Sequence, residues 1–316
     1  MIDARLAELY EQHRSLNRFQ GNPETLYAAM QYIMDLGGKR IRPQLVLMAA
    51  ESAGAQAELA LELAHAVEVF HNFSLVHDDI MDQADRRRGQ ATVHKNWDEP
   101  TAILAGDNML VAAYDAVFRY RGPQQAEALA LFSKTAREVC EGQQKDMDFA
   151  QMNGVSIADY LRMIEQKTAV LLGCALQLGA MSANANSEVA QGFYRAGCAL
   201  GLSFQMIDDY LDSFGQEAAT GKRLGGDIAE GKKTWLYLSS QAISSEVEKL
   251  FDQYQEDERI DRVRALWIQQ GLDKGLLELA EHYHQLANQE WKSLQMEGCD
   301  TQALESLSDW LLGRTH

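Results

Sequence analysis

Two short acidic runs carry the residue types best suited to chemistry. They are Asp78, Asp79 and Asp82, within His77-Asp78-Asp79-Ile80-Met81-Asp82, and Asp208, Asp209 and Asp212, within Asp208-Asp209-Tyr210-Leu211-Asp212. At ~3.6 residues per helical turn, the first and last aspartate of each run form an i, i+4 pair. All three carboxylates of a run then fall within an arc of roughly 100° and point the same way. Three like charges on one turn repel unless cations fill the gap between them. Oxygen-only ligands, with no Cys and no obligatory His, suit Mg²⁺, which takes a few carboxylates and completes its shell with water and phosphate oxygens. One isolated D-D-x-x-D run reads as a solvated helix end. Two runs, each closing an apolar helix, point to metal-dependent chemistry on an anionic substrate, because buried unpaired carboxylates are costly.

Cations for such a substrate are scarce but recur beside glycine or a hydroxyl: Gly37-Gly38-Lys39-Arg40-Ile41-Arg42-Pro43, Arg86-Arg87-Arg88-Gly89, Lys167-Thr168, Gly221-Lys222 and Gly231-Lys232-Lys233-Thr234. Glycine lets backbone amides approach an oxyanion, and arginine offers a planar fork to phosphate oxygens. These segments read as diphosphate grips. The Gly-Gly-Lys-Arg run lacks the G-x-x-x-x-G-K-S/T spacing of a nucleotide-binding P-loop.

The elements that must position these groups are helical. The four prolines are Pro23, Pro43, Pro100 and Pro123, so nothing after Pro123 breaks a helix by that route. Helices are expected at about 3–16, 24–35, 43–53, 56–82, 99–120, 124–152, 156–182, 186–213, 233–241, 243–254, 258–272, 273–296 and 300–313, with loops at 37–38, 83–93 and 213–231. Segments 59–76 and 189–207 are apolar around nearly their whole circumference, the mark of helices inside a bundle, and each ends in an aspartate run. No low-complexity linker or internal repeat divides the chain. A single all-α domain is therefore expected over 1–316, with its motif-bearing core at about 24–240 and a smaller helical part at about 241–316.

Composition narrows the function classes. With 29 Lys plus Arg against 46 Asp plus Glu, the formal charge is -17, which disfavours nucleic acid as a partner. The apolar fraction of 46% excludes disorder, and mean hydropathy of -0.31 without a long apolar run argues against a membrane span. No secretion signal opens the sequence, so a cytoplasmic location is expected. Cys140, Cys174, Cys198 and Cys299 are widely spaced, which suits reduced thiols in apolar helical surroundings better than a zinc site or a disulfide framework.

In their order along the chain these motifs resemble those of the trans-isoprenyl diphosphate synthase family, from Gly-Gly-Lys-Arg-Ile-Arg-Pro through both aspartate runs to Lys232-Lys233-Thr234. Arg87-Arg88-Gly89, Gly106-Asp107, Gly142-Gln143, Lys167-Thr168, Phe204-Gln205 and Gly225-Gly226-Asp227 fall at their expected places between. The resemblance implies the isoprenoid synthase fold, a bundle of antiparallel helices around a central apolar cavity. It also implies a head-to-tail prenyltransferase that joins isopentenyl diphosphate to an allylic diphosphate by ionisation, condensation and elimination. On this resemblance Asp78, Asp79, Asp82, Asp208, Asp209 and Asp212 hold three Mg²⁺, with Mn²⁺ as a substitute, on the allylic diphosphate. Arg87, Lys167, Lys222 and Lys232 grip the same group. Lys39, Arg42, His71 and Arg88 seat isopentenyl diphosphate, and the Lys167 carbonyl, Thr168 and Gln205 face the allylic cation. Asp146 is a candidate to orient a Lys or Arg. Phe70, Phe73 and Ser74 set chain length, which favours a geranylgeranyl product, with farnesyl second. A homodimer is implied as well. Lys145 and the third arginine, Arg86, depart from the family pattern without touching the core chemistry. The rival readings are a class I terpene cyclase, a His-Asp metal phosphohydrolase built on His65, His71 and His77, and a noncatalytic partner subunit.

Overall fold

The computed structural model describes residues 3–215 and 224–313. The helices are α1 (Ala4–Leu16), α2 (Glu24–Asp35), α3 (Ile41–Ser52), α4 (Leu61–Met81), α5 (Val93–Asn96), α6 (Glu99–Arg119), α7 (Gln125–Gln151), α8 (Ile157–Ile164), α9 (Val170–Ser182) and α10 (Ser187–Phe214). They are followed by α11 (Gly226–Glu230), α12 (Trp235–Ile243), α13 (Glu246–Gln253), α14 (Glu256–Gln269), α15 (Leu272–Met296) and α16 (Gln302–Leu312). The fold is all-α, as the proline-poor sequence demands. Among the described residues, no helix is long and apolar enough to cross a membrane.

Local chemistry accounts for the helix starts. Asp98 precedes α6 and accepts the Thr101 N–H at 2.7 Å, while Pro100 occupies the first turn, where a missing N–H costs nothing. Ser156 and Asp159 exchange hydrogen bonds in a capping box before α8. The expected 156–182 helix is interrupted by a π-helical turn at Glu165–Ala169, and the expected 56–82 helix begins with a 3₁₀ turn at Ala57–Ala60. Within the expected loop at 83–93, Arg86–Arg87 pairs antiparallel with Gln90–Ala91. Arg88 (φ 53°) and Gly89 (φ 79°) make its two-residue turn, with both φ angles positive as a type I′ turn needs.

The chain forms two compact units. The first comprises residues 1–136, 174–194 and 293–304; the second comprises 137–173, 195–292 and 305–316. In the first, α4 packs along α6 and against α3. Every residue from Leu63 to Phe70 is buried, so α4 is enclosed around its circumference, as its sequence suggests. Each large side chain there, such as Leu63, Val67 or Phe70, contributes about 1.5–3 kcal/mol by leaving water. In the second unit the core is built on Trp267, Trp291, Met206, Leu276 and Ala280, and Ser203 Oγ donates to the Ala280 carbonyl at 2.9 Å. All four cysteines are free. Cys174 and Cys198 are buried as expected, but Cys140 is exposed and Cys299 is half-buried, so only two of the four are core thiols. Cys140 lies on an amphipathic helix, where the face decides burial and the residue type does not.

Candidate active site

In the first unit, the last turn of α4 carries Asp78 and Asp79, and Asp82 caps its end with an N–H to the Asp78 carbonyl at 2.9 Å. The three are not equivalent. Asp79 is buried, Asp78 is half-buried and Asp82 is exposed. The hairpin at 86–91 turns Arg87 back onto this turn: its Nε lies 2.8 and 2.9 Å from the two Asp79 carboxylate oxygens, and its Nη2 lies 2.7 Å from Oδ1. Arg87 Nη2 is also 3.8 Å from Asp78. Burial still leaves the Asp79 carboxyl above the ordinary carboxylate range despite that arginine.

About two turns earlier on the same helix, His71 Nε2 lies 3.1 Å from Arg42 Nη1. Arginine only donates, so Nε2 is the acceptor and the ring proton sits on Nδ1. Desolvation holds the His71 pKa well below its usual value, reinforced by Arg42, Arg88, Arg87 and Arg40, and the ring is neutral. Arg88 is itself lowered, first by desolvation and then by Arg40. Cations this crowded in partly desolvated surroundings favour a nearby anion. Phe73, also on α4, packs its ring 5.4 Å from Phe70 and 5.0 Å from His77, and Phe70 in turn meets Phe132 at 5.5 Å. Ser74 gives its hydroxyl to the His71 carbonyl at 2.8 Å. His77 lies where a Cβ on Gly106 would be only 2.2 Å from its Nε2, which explains the glycine.

In the second unit, a cavity of about 100 Å³ is lined by Asp146, Tyr160, Lys167, Thr168, Gln205, Asp209, Asp227 and Lys232, among others. The sequence-predicted Lys167, Thr168, Gln205, Asp209 and Lys232 therefore meet around one space, with Asp208 and Asp212 on the same turn of α10. Lys167 and Thr168 sit in the π turn, a conformation that widens one helical turn and recurs at functional sites. Gly142 on α7 makes room for it, since a Cβ there would lie 2.3 Å from the Lys167 backbone nitrogen. Asp146, one turn further on, pairs with Lys167 Nζ at 2.5 Å, so its expected orienting contact is present. Thr168 Oγ1 donates to Gln205 Oε1 at 3.2 Å, and Gln205 Nε2 donates to Asp209 Oδ1 at 2.9 Å.

Two participants carried no role in the sequence reading. Tyr160 is buried and donates its hydroxyl to Asp209 Oδ2. Asp227, in the Gly-Gly-Asp run, receives Lys232 Nζ at 3.4 Å and gives its own N–H to Asp212 Oδ2 at 3.1 Å. Only that Gly-Gly-Asp run could have flagged Asp227, and nothing but its seven-residue spacing from Lys167 marked Tyr160. Desolvation, followed by the Asp227 charge, pushes the Asp209 carboxyl up to about 8 and that of Asp212 to about 6. Asp227 is raised as well, chiefly by desolvation. Lys222 lies outside the described residues.

These oxygens suit a hard divalent cation. Acids raised by burial and by one another hold surplus negative charge that a cation relieves, and no thiol or imidazole competes among them. Among the described residues, no three Asp, Glu, His or Cys side chains converge into a metal site of their own. His65, His71 and His77 face different partners, with His65 near Tyr10 and His13, His71 on Arg42 and His77 against Phe73, so they offer the phosphohydrolase reading no shared site.

Comparison with known proteins agrees with this chemistry. The sequence pattern described as polyprenyl synthetase matches residues 23–268. Geranylgeranyl diphosphate synthase of Methanosarcina mazei is 42% identical over 220 residues, 69% of this chain and 68% of that protein. A crystal structure of a geranylgeranyl pyrophosphate synthase superposes with a TM-score of 0.93 at 43% identity, covering 99% of this chain and 98% of the other. A polyprenyl synthase from Caulobacter crescentus, crystallised with calcium and isoprenyl diphosphate, superposes at 0.88 with 30% identity, covering 99% and 97%. The likeness spans both aspartate runs and every glycine-flanked cation segment. The chain belongs to the polyprenyl synthetase family and is a trans-prenyltransferase.

Proposed function

We propose that the chain joins isopentenyl diphosphate to an allylic diphosphate, with geranylgeranyl diphosphate as the product and farnesyl diphosphate as the second choice. The reading is carried by the assembly of Lys167, Thr168, Gln205, Asp209 and Lys232 around one cavity. Asp78, Asp79, Asp82, Asp208, Asp209 and Asp212 would hold three Mg²⁺, or Mn²⁺ in their place. The buried Asp79 and Asp209 serve chiefly to shape the set, through Arg87 and through Tyr160 with Gln205. When bound, the ions supply positive charge to the departing diphosphate. Arg87, Lys167, Lys222 and Lys232 grip the same diphosphate, Lys167 being aimed by Asp146. The π-turn carbonyl, Thr168 and Gln205 present oxygen dipoles to the allylic carbon as positive charge grows there.

Lys39, Arg42, Arg88 and neutral His71 seat the diphosphate of isopentenyl diphosphate. Phe73, with Phe70 behind it, ends the space open to the growing tail, while the small Ser74 leaves room beside it. The geranylgeranyl product is supported further by the names of the relatives at 42 and 43% identity. A homodimer is supported by α6, where Leu104, Val111 and Phe118 recur every seven residues at 58%, 58% and 64% exposure, a stripe suited to a second copy.

Replacing the outer aspartates tests the assignment. Asp78→Ala and Asp208→Ala should each lower kcat by roughly 10²-fold or more, with the variants still folded. Near-normal turnover in either would remove that triplet from the reaction.

A further inference from the structure

The loop at 37–40, just before α3, holds a residue in an uncommon conformation that its neighbours explain. Arg40 has φ of 47°, in the left-handed region that non-glycine residues seldom occupy. Its side chain is turned inward and only 9% exposed. Nη1 reaches Glu68 Oε1 at 2.6 Å, and Nη2 donates to the Met34 carbonyl. Glu68 lies on α4 with its side chain 3% exposed, and its Oε1 also accepts Asn72 Nδ2 at 3.0 Å. A carboxylate buried to this degree requires a cation, and Arg40 is placed to provide it.

The other side of the loop is held as well. Arg88 donates to the Gly37 carbonyl, and its guanidinium fills the space where a Cβ on Gly38 would come within 2.9 Å of Cζ. Gln44 Nε2 donates to the Lys39 carbonyl at 3.3 Å. The spacing on α4 matters most. Glu68 and His71 are three residues apart, on one helix face, and they grip Arg40 and Arg42, which flank the start of α3 two residues apart.

We propose that Glu68 and Arg40 form a buried clamp that positions Lys39 and Arg42 to receive isopentenyl diphosphate. The clamp rests on the reading that Lys39 and Arg42 bind that substrate. Neither Arg40 nor Glu68 touches substrate in this assignment, so both are positioning residues. Their pairing fixes the backbone on either side of Lys39 and Arg42, and a small displacement of oriented cations weakens diphosphate binding steeply.

The test is steady-state kinetics of the full chain with Mg²⁺, varying each substrate while the other saturates. Glu68→Gln should raise KM for isopentenyl diphosphate on the order of tenfold, leaving KM for the allylic diphosphate and kcat at saturation unchanged. Combining it with Arg40→Met should add little, because the pair acts as a unit. Arg40→Lys keeps a charge for Glu68 and should recover part of the loss, and it serves as the second probe if Glu68→Gln does not fold. A folded Glu68→Gln with lowered Tm but unaltered KM for isopentenyl diphosphate would overturn the clamp, as would an equal rise in both KM values. Lys39→Ala and Arg42→Ala separate the two layers of the argument. If they raise KM for isopentenyl diphosphate while Glu68→Gln does not, the clamp alone is wrong. If they leave it unchanged, the placement of that substrate is wrong and the clamp falls with it.

Discussion

Phe73 stands five residues before Asp78, with its ring between those of Phe70 and His77. If that ring ends the space for the tail, Phe73→Ala should shift the product distribution toward longer chains, with Phe70 and Phe132 then forming the next barrier. Mass measurement of the products decides the point, and an unaltered distribution would remove Phe73 as the stop. His65 offers a separate test of the structure at this scale. It is buried on α4 near Tyr10 and His13 of α1, and desolvation lowers its pKa to about 3, with His13 and Arg119 adding to the shift. The folded protein thus binds this proton less readily than the unfolded chain, whose histidine titrates near 6.5. Its contribution to stability is complete above that value and is lost as pH falls from 6.5 toward 3, by up to about 1.4 kcal/mol per pH unit. Urea unfolding at a series of pH values should show a steeper acid loss for the native sequence than for His65→Gln. Identical slopes would contradict the burial of a neutral His65.

Helices such as α2 and α6 were legible because their signals are local. Pro23 and Asp98 mark the starts, apolar residues recur at helical spacing, and 24–35 is observed at the positions expected. The π turn at Glu165–Ala169 was not legible, because one widened turn hardly disturbs the apolar periodicity of a long helix. The hairpin at 86–91 was hidden for another reason: strands of two residues have no alternation to read. The same holds for the site. Aspartates, lysines and glycines announce themselves by type, whereas Tyr160 looks like any core aromatic until Asp209 is placed beside it. The inward turn of Asp79 and Asp209 was also beyond a reading in which all three carboxylates of a run point the same way. It depends on the partners that Arg87, Tyr160 and Gln205 provide across the chain.

Gly142 tests the π turn directly. A Cβ there would lie 2.3 Å from the Lys167 nitrogen and 2.8 Å from the Gln166 carbonyl carbon, both backbone atoms that cannot step aside cheaply. Gly142→Ala should cost about 1–3 kcal/mol of stability by overpacking. It should also lower turnover more than tenfold, since Lys167 and Thr168 move with the turn. Native turnover in a destabilised Gly142→Ala protein would show that the turn does not need this contact.

At the scale of the whole molecule, a chain of net charge -17 carries its candidate substrate-binding cations in a few segments beside glycine or a hydroxyl. Arg42, Arg87 and Arg88 gather in one compact unit, and Lys167 and Lys232 in the other, each group beside its own aspartate run. An acidic protein handling two diphosphates needs that economy, because attraction must come from local sites against an unfavourable overall field. The most direct measurement is the mass of the products formed from isopentenyl diphosphate, Mg²⁺ and each of dimethylallyl, geranyl and farnesyl diphosphate. The account predicts a twenty-carbon diphosphate from all three primers, no product without the divalent ion, and one diphosphate released for each isopentenyl unit consumed. Hydrocarbon formed from an allylic diphosphate alone, with isopentenyl diphosphate untouched, would contradict it.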